Sequence, residues 1–172
     1  MDDFEGDLAW SHALSDLPLW EVVYRKAFDN FEAMVDHRKH GEHQHAGIDR
    51  SVILDNSKQI LIDEKGRRKA YPDIAVEYLS NVERGHAGWA CKPLRADYIA
   101  YAIIPKGMCY LLPVPQLQQA FKKHKEQWIE EYFEINAPNP RPPLPAKYHT
   151  RSVAVPVPVL FKSIGDCLRI SF

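Results

Sequence analysis

The stretch GIDRSVILDNSKQILIDEK, residues 47–65, sets two apolar, β-branched runs on either side of a polar DNSK tetrapeptide. Such a pattern predicts a β-hairpin. Side chains alternate along a strand. In the first run Ile48, Val52 and Leu54 therefore share a face with Arg50, and Asp49, Ser51 and Ile53 share the other. In the second, Ile60, Ile62 and Glu64 face one way, and Leu61, Asp63 and Lys65 the other. Residues directly opposite in an antiparallel pair point the same way. Two registers compete: one sets Asp49 opposite Asp63, the other, slipped by one, opposite Glu64. The first gathers Ile48, Val52, Leu54, Ile60 and Ile62 on one face, and the second splits that set. Burial of one face fixes register, so the first is expected, with an odd-length turn or a bulge around Asp55–Lys58.

This register places Asp49, Asp63 and Lys65 together on the less apolar face. Two close carboxylates repel unless a cation or a proton offsets them. Mg²⁺, with Mn²⁺ as its substitute, suits such oxygen ligands and keeps several waters. Lys65 is placed to hold or help deprotonate an attacking water, or to steady a phosphate. In DIAVEYLSN (73–81), Glu77 lies on the face opposite Ile74, Val76 and Tyr78. If that face continues the acidic one, Glu77 is a third metal ligand. The cluster KGRRK (65–69) offers Arg67, Arg68 and Lys69 to a nucleic-acid backbone. FKKHK (121–125) is a second basic cluster. Each reads first as a solvated face and only second as a phosphate contact.

The chain has 172 residues and a formal net charge of −1. Its length suits one compact domain spanning 1–172, with residues 1–14 expected to be flexible. No global basic field advertises nucleic acid, and no apolar run approaches the roughly 20 residues of a membrane span. The N-terminus MDDFEGDLAW has no basic-then-apolar signal pattern. Cys91, Cys109 and Cys167 lack metal-type spacing and read as reduced thiols of a cytoplasmic protein.

Outward from the hairpin, SDLPLWEVVYRKAFDNFEAMVDHRK (15–39) predicts one helix capped by Ser15 or Asp16. KGRRKAYP predicts a loop, DIAVEYLSN a strand, and VERGHAGWACKPL (82–94) a loop with Trp89–Lys92 extended. ADYIAYAIIP (96–105) and MCYLLPV (108–114) predict strands, and PQLQQAFKKHKEQWIEEYF (115–133) a helix with Pro115 at its first position. The proline-rich NAPNPRPPLPAKYHT (136–150) predicts an irregular connection. RSVAVPVPVL (151–160) predicts an edge or short strand, and VLFKSIGDCLRI a final helix. The whole is a mixed α/β (α+β) domain with a hairpin-rich sheet.

A leading helix, Gly-Ile-Asp on one strand and Asp63-Glu64-Lys65 ending the next together resemble the PD-(D/E)xK nuclease superfamily, in its Holliday-junction-resolvase-like variant. The resemblance covers 15–133 loosely, with Asp49, Asp63 and Lys65 as the matching positions. It implies a restriction-endonuclease-like mixed sheet with an N-terminal helix, a central hairpin carrying the acidic site, and flanking C-terminal helices. It implies Mg²⁺-dependent hydrolysis of nucleic acid, DNA more often than RNA. It also implies that the Glu64 carbonyl faces the metal and that an upstream side chain, Glu32, Glu42 or Gln44, joins the site. The chain departs from the pattern in lacking a proline before Asp49 and an evident helix after the third strand. Its small size would suit a phage or mobile-element protein, and homodimerisation is compatible with it.

Other readings compete. Asp49 and Asp63 read also as hairpin-end charges, solvated or paired with Arg50 and Lys65, and Glu77 as an exposed strand residue. The same acidic face would serve a non-catalytic binding or inhibitor protein as a partner-contact patch. His37, His40, His43 and His45 fall within DHRKHGEHQH. They match no recognised zinc spacing, but His43 or His45 could line the site as a proton carrier or phosphate contact. The His and helix pattern of a ββα-metal nuclease is not evident. Lys92 is a further backbone-contact candidate, although KPLRAD reads first as a salt-bridged start of a strand. Trp89, Tyr98, Tyr101 and Trp128 read mainly as core, with Trp89 the one expected to meet a partner.

Overall fold

The computed structural model describes residues 16, 18–38, 47–141 and 144–172, without the side chains of 140–147. The expectations for residues 1–14 and for His40, Glu42, His43, Gln44 and His45 lie outside the described residues. The chain divides into two compact units. The division goes beyond the one-domain reading of its length.

The first unit holds the hairpin. Among its described residues are helix α1 (Leu19–Ala27), β1 (Phe31–Asp36), β2 (Arg50–Leu54), β3 (Gln59–Arg67), β6 (Tyr98–Ile103), β7 (Met108–Pro113) and β10 (Leu168–Ser171). These strands form one six-stranded sheet in the order β1-β2-β3-β6-β7-β10. β1, β2 and β3 make an antiparallel meander, and β6 adds to β3 in parallel. The sheet is therefore mixed.

The expected register is the observed one. Arg50 faces Ile62 and Val52 faces Ile60, which carries Asp49 opposite Asp63. The turn has odd length. Leu54 N–H bonds the Lys58 carbonyl at 3.0 Å and Ser57 N–H bonds the Leu54 carbonyl at 2.8 Å. Ser57 takes φ +62°, the left-handed turn position of a three-residue hairpin loop. Val52, Leu54 and Ile62 pack with Leu19, Trp20, Val23 and Tyr24 of α1, and with Ala100, Cys109 and Leu111 across the sheet. Gly47 also has a structural reason. Its φ is +68°, and a Cβ there would meet Leu94 Cδ2 at 2.5 Å.

The second unit, Tyr71–Pro93 and Pro115–Asp166 of its described residues, holds a four-stranded sheet in the order β5-β4-β9-β8. Its elements are β4 (Asp73–Asn81), β5 (His86–Ala87), α2 (Val114–Glu131), β8 (Glu134–Arg141), β9 (Leu144–Pro156) and α3 (Val157–Ile164).

Several expectations are corrected. The single helix over 15–39 is a helix followed by a strand, because the chain turns at Asp29–Asn30 and Phe31–Asp36 pairs with β2. α1 starts at Pro18 with no side-chain cap. Gly66 and Arg67, expected in a loop, extend β3 beside Ala102 and Ile103 of β6. Trp89–Lys92 forms a turn instead of an extended segment. The proline-rich 136–150 segment is largely a β8–β9 hairpin. β8 is an edge strand, which tolerates the missing N–H groups of Pro138 and Pro140. β9 is interior, between β4 and β8, and ends at Pro156. The final segment is α3 and then strand β10.

Candidate metal and phosphodiester site

Asp49 lies one residue before β2, and β3 carries Asp63, Lys65 and Arg67 on one face by alternation. Asp49 N–H donates to the Ile62 carbonyl at 2.9 Å, and Glu64 N–H donates to Asp49 Oδ2 at 2.8 Å. The Asp49 carboxylate thus stands where the next backbone carbonyl of β2 would otherwise continue the ladder. Asp63 is buried, and Lys65 Nζ donates to its Oδ1 at 2.5 Å. Burial pushes the Asp49 carboxyl up to about 6. Lys65 opposes that rise, while repulsion from the Asp63 carboxylate and a hydrogen bond between the two groups add to it. Two carboxyl groups share a restricted space, and one lysine neutralises part of their charge.

Glu64 has a different role from its neighbours. Its carboxylate points to the α1 face, where Arg50 Nε donates to Oε1 at 2.7 Å, Arg50 Nη2 to Oε2 at 3.2 Å, and the Tyr24 hydroxyl to Oε1 at 2.6 Å. Burial raises the Glu64 carboxyl, against the pull of Arg50 and Tyr24. Arg50 therefore pairs with Glu64, and Lys65 is the partner of Asp63. Only the backbone of Glu64 is turned toward Asp49. A strand residue sends its N–H and C=O to the same side. The Glu64 carbonyl thus leaves β3 toward β2, as its N–H does.

A residue outside the expected set lies in the same row. Extending the β1–β2 register from Asp36 opposite Arg50 sets His37 opposite Asp49. Its N–H donates to the Asp49 carbonyl at 2.8 Å, and its Nε2 is 2.7 Å from Ser51 Oγ. His37, Asp49 and Asp63 are cross-strand neighbours. The sequence signal for His37 is alternation along β1, which a helix over 15–39 does not display.

The remaining candidates are dispersed. Arg67 Nη1 lies 3.5 Å from the Tyr101 hydroxyl, on the Asp63 face. Arg68 and Lys69 are exposed just after β3. Glu32 is exposed on β1. Glu77 belongs to β4 in the four-stranded sheet, opposite Ser152, so no continuous sheet face extends the Asp49–Asp63 row to it. Lys92 is likewise in the second unit, its carbonyl accepting a bond from Gln118. Among the described residues Asp97, at the start of β6, makes no salt bridge. Its carboxylate accepts the Leu61 N–H at 2.8 Å. Trp89, expected to meet a partner, is buried.

Among the described residues, no group of three or more His, Cys, Asp or Glu side chains is arranged to hold a metal ion. The donor set is a pair of carboxylates with a neighbouring backbone carbonyl. Such a hard-oxygen set fits Mg²⁺, which commonly takes one or two carboxylates and completes its shell with water and substrate. The chain matches no protein-family model, no curated protein and no solved structure. Among the described residues, no helix is long and apolar enough to cross a membrane.

Proposed function

We propose that this protein is a metal-dependent phosphodiesterase acting on nucleic acid, with DNA the expected substrate, on a restriction-endonuclease-like sheet. One observation carries the reading: Asp49, one residue before β2, and Asp63 on β3 are cross-strand neighbours, with Lys65 on the same face and bonded to Asp63. The meander β1-β2-β3 with a parallel fourth strand supports the same fold. The three free cysteines suit a cytoplasmic protein.

Asp49, Asp63 and the Glu64 carbonyl would hold Mg²⁺. The ion would polarise a phosphoryl oxygen and acidify water. The side chains supply the rest. Lys65 orients the attacking water and offsets negative charge gathering on the phosphate. The water oxygen gives up a proton to solvent and bonds to phosphorus, the P–O ester bond opposite it breaks, and the leaving oxygen takes a proton from solvent. Arg67, Arg68 and Lys69 align the backbone.

The test is cleavage of plasmid, single-stranded and branched DNA, and of RNA, with Mg²⁺ or Mn²⁺. Wild type should cleave at least one substrate, and Asp63→Ala and Lys65→Ala should each lose about 100-fold or more. Equal activity in all three proteins would reject the reading. The Asp63–Lys65 pair also favours a second one, in which the lysine neutralises the carboxylate permanently and the face contacts a protein partner. A chain that binds neither Mg²⁺ nor Mn²⁺ in calorimetry would support that alternative.

A further inference from the structure

We infer that the second unit carries its own binding groove for single-stranded nucleic acid, between α2 and α3. Two cavities of about 440 and 400 Å³ lie there and share Lys123, Lys162 and Ser163 in their walls. They therefore adjoin along α2. The α2 wall is a stripe of Gln116, Gln119, Lys123 and Gln127, spaced three and four residues apart on one helix face. That stripe is about 16 Å long at 1.5 Å per residue. Among the described residues no aspartate or glutamate lines either cavity, and the nearest carboxylate bonded to the wall is Glu131, which accepts from Gln127 Nε2 at 3.0 Å. The groove is thus cationic in a chain whose net charge is −1.

The two lysines are exposed, and neither makes a hydrogen bond or ion pair among the described residues. An ammonium pair that no carboxylate neutralises, set among amide side chains, suits a run of phosphates better than a protein surface. A second observation separates nucleic acid from a featureless polyanion. Tyr132, the residue just after α2, lines the larger cavity and is half-buried, so part of its ring is open to solvent. His124, also in the wall, is stacked on the buried Trp128 ring at 5.4 Å. Single-strand binders combine such backbone-tracking cations with aromatic faces for unstacked bases. The proposal rests on the nuclease reading only for the biological role of the bound strand. The groove uses none of the residues of the Asp49–Asp63 site.

The experiment measures binding of a fluorescent single-stranded DNA oligonucleotide to the full chain in EDTA, from 50 to 200 mM salt. Loss of two phosphate contacts flattens the log–log salt dependence by about 1.4, which is about 25-fold in affinity at 0.1 M salt. That result is expected for Lys123→Ala with Lys162→Ala, both exposed positions where folding is not at stake. Tyr132→Ala, checked by circular dichroism to be folded, should weaken binding about 5-fold or more and leave the salt slope unchanged. Unchanged affinity and slope in the double lysine variant would overturn the inference. So would equal loss of oligonucleotide and heparin binding with no effect of Tyr132→Ala, which would mark a general polyanion surface. Because EDTA removes any divalent ion, the outcome is separate from cleavage. An inactive chain that still binds through the lysines sinks only the nuclease reading, and an active chain with a silent groove sinks only this one.

Discussion

At the residue scale, adjacent positions of β3 do opposite things. Asp63 and Lys65 build the acidic face, while Glu64 between them is committed to the core with Arg50 and Tyr24. The Arg50 and Glu64 side chains are only 6 % and 3 % exposed. Removing one member of such a pair strands the other charge in a poorly solvated place. Arg50→Met should therefore lower unfolding free energy in urea by about 3 kcal/mol, and Arg50→Met with Glu64→Leu should recover most of it. A single substitution costing less than about 1 kcal/mol would show the pair to be dispensable. Asp49 gives a pH signature. Its carboxyl titrates at about 6 in the fold, above the unfolded value of about 4. Folding takes up a proton between those values, so this group's contribution favours the fold below about pH 4 and is lost as pH rises through about 6. In EDTA, Asp49→Asn should flatten that part of the stability–pH curve, read from urea midpoints across pH 4–7. An unchanged slope would mean that Asp49 is not the group responsible.

At the element scale, the 47–65 hairpin follows from its own pattern. Alternation sets the faces, burial of the aliphatic face selects the register, and the register demands the odd turn that Ser57 closes. Ser57 pays the steric cost of φ +62°, so Ser57→Gly should raise stability by about 0.5–1 kcal/mol in urea unfolding. A loss of stability would show that the serine side chain supports the turn. Elsewhere local pattern misleads. Phe28, Phe31 and Val35 fit a helical spacing, yet Asp29–Asn30 turn the chain and the last two lie on a strand, because β2 offers an edge that the sequence does not display. A helix over 15–39 would also leave His37 out of the row it shares with Asp49. Pro138 and Pro140 read as breakers, but the edge strand β8 accommodates them. Arg67 joins β3 only because β6, 36 residues further on, runs beside it, Arg67 against Ile103.

At the scale of the whole molecule, the chain leaves the first sheet after β3, contributes β4 and β5 to the second, and returns at β6. Such long-range pairing has no local signature, so Glu77, which alternation alone could attach to the acidic face, falls in another sheet. What was legible is the pairwise core of the site: Asp49, Asp63 and Lys65 need only one hairpin and one buried face. The central claim is that those two carboxylates jointly hold one divalent ion. Calorimetric titration of Mn²⁺ at pH 8 tests it most directly. One ion per chain is expected for wild type, and no binding for Asp49→Asn or Asp63→Asn when both remain folded by circular dichroism. Absence of Mn²⁺ binding by wild type, or undiminished binding by the two folded variants, would contradict it.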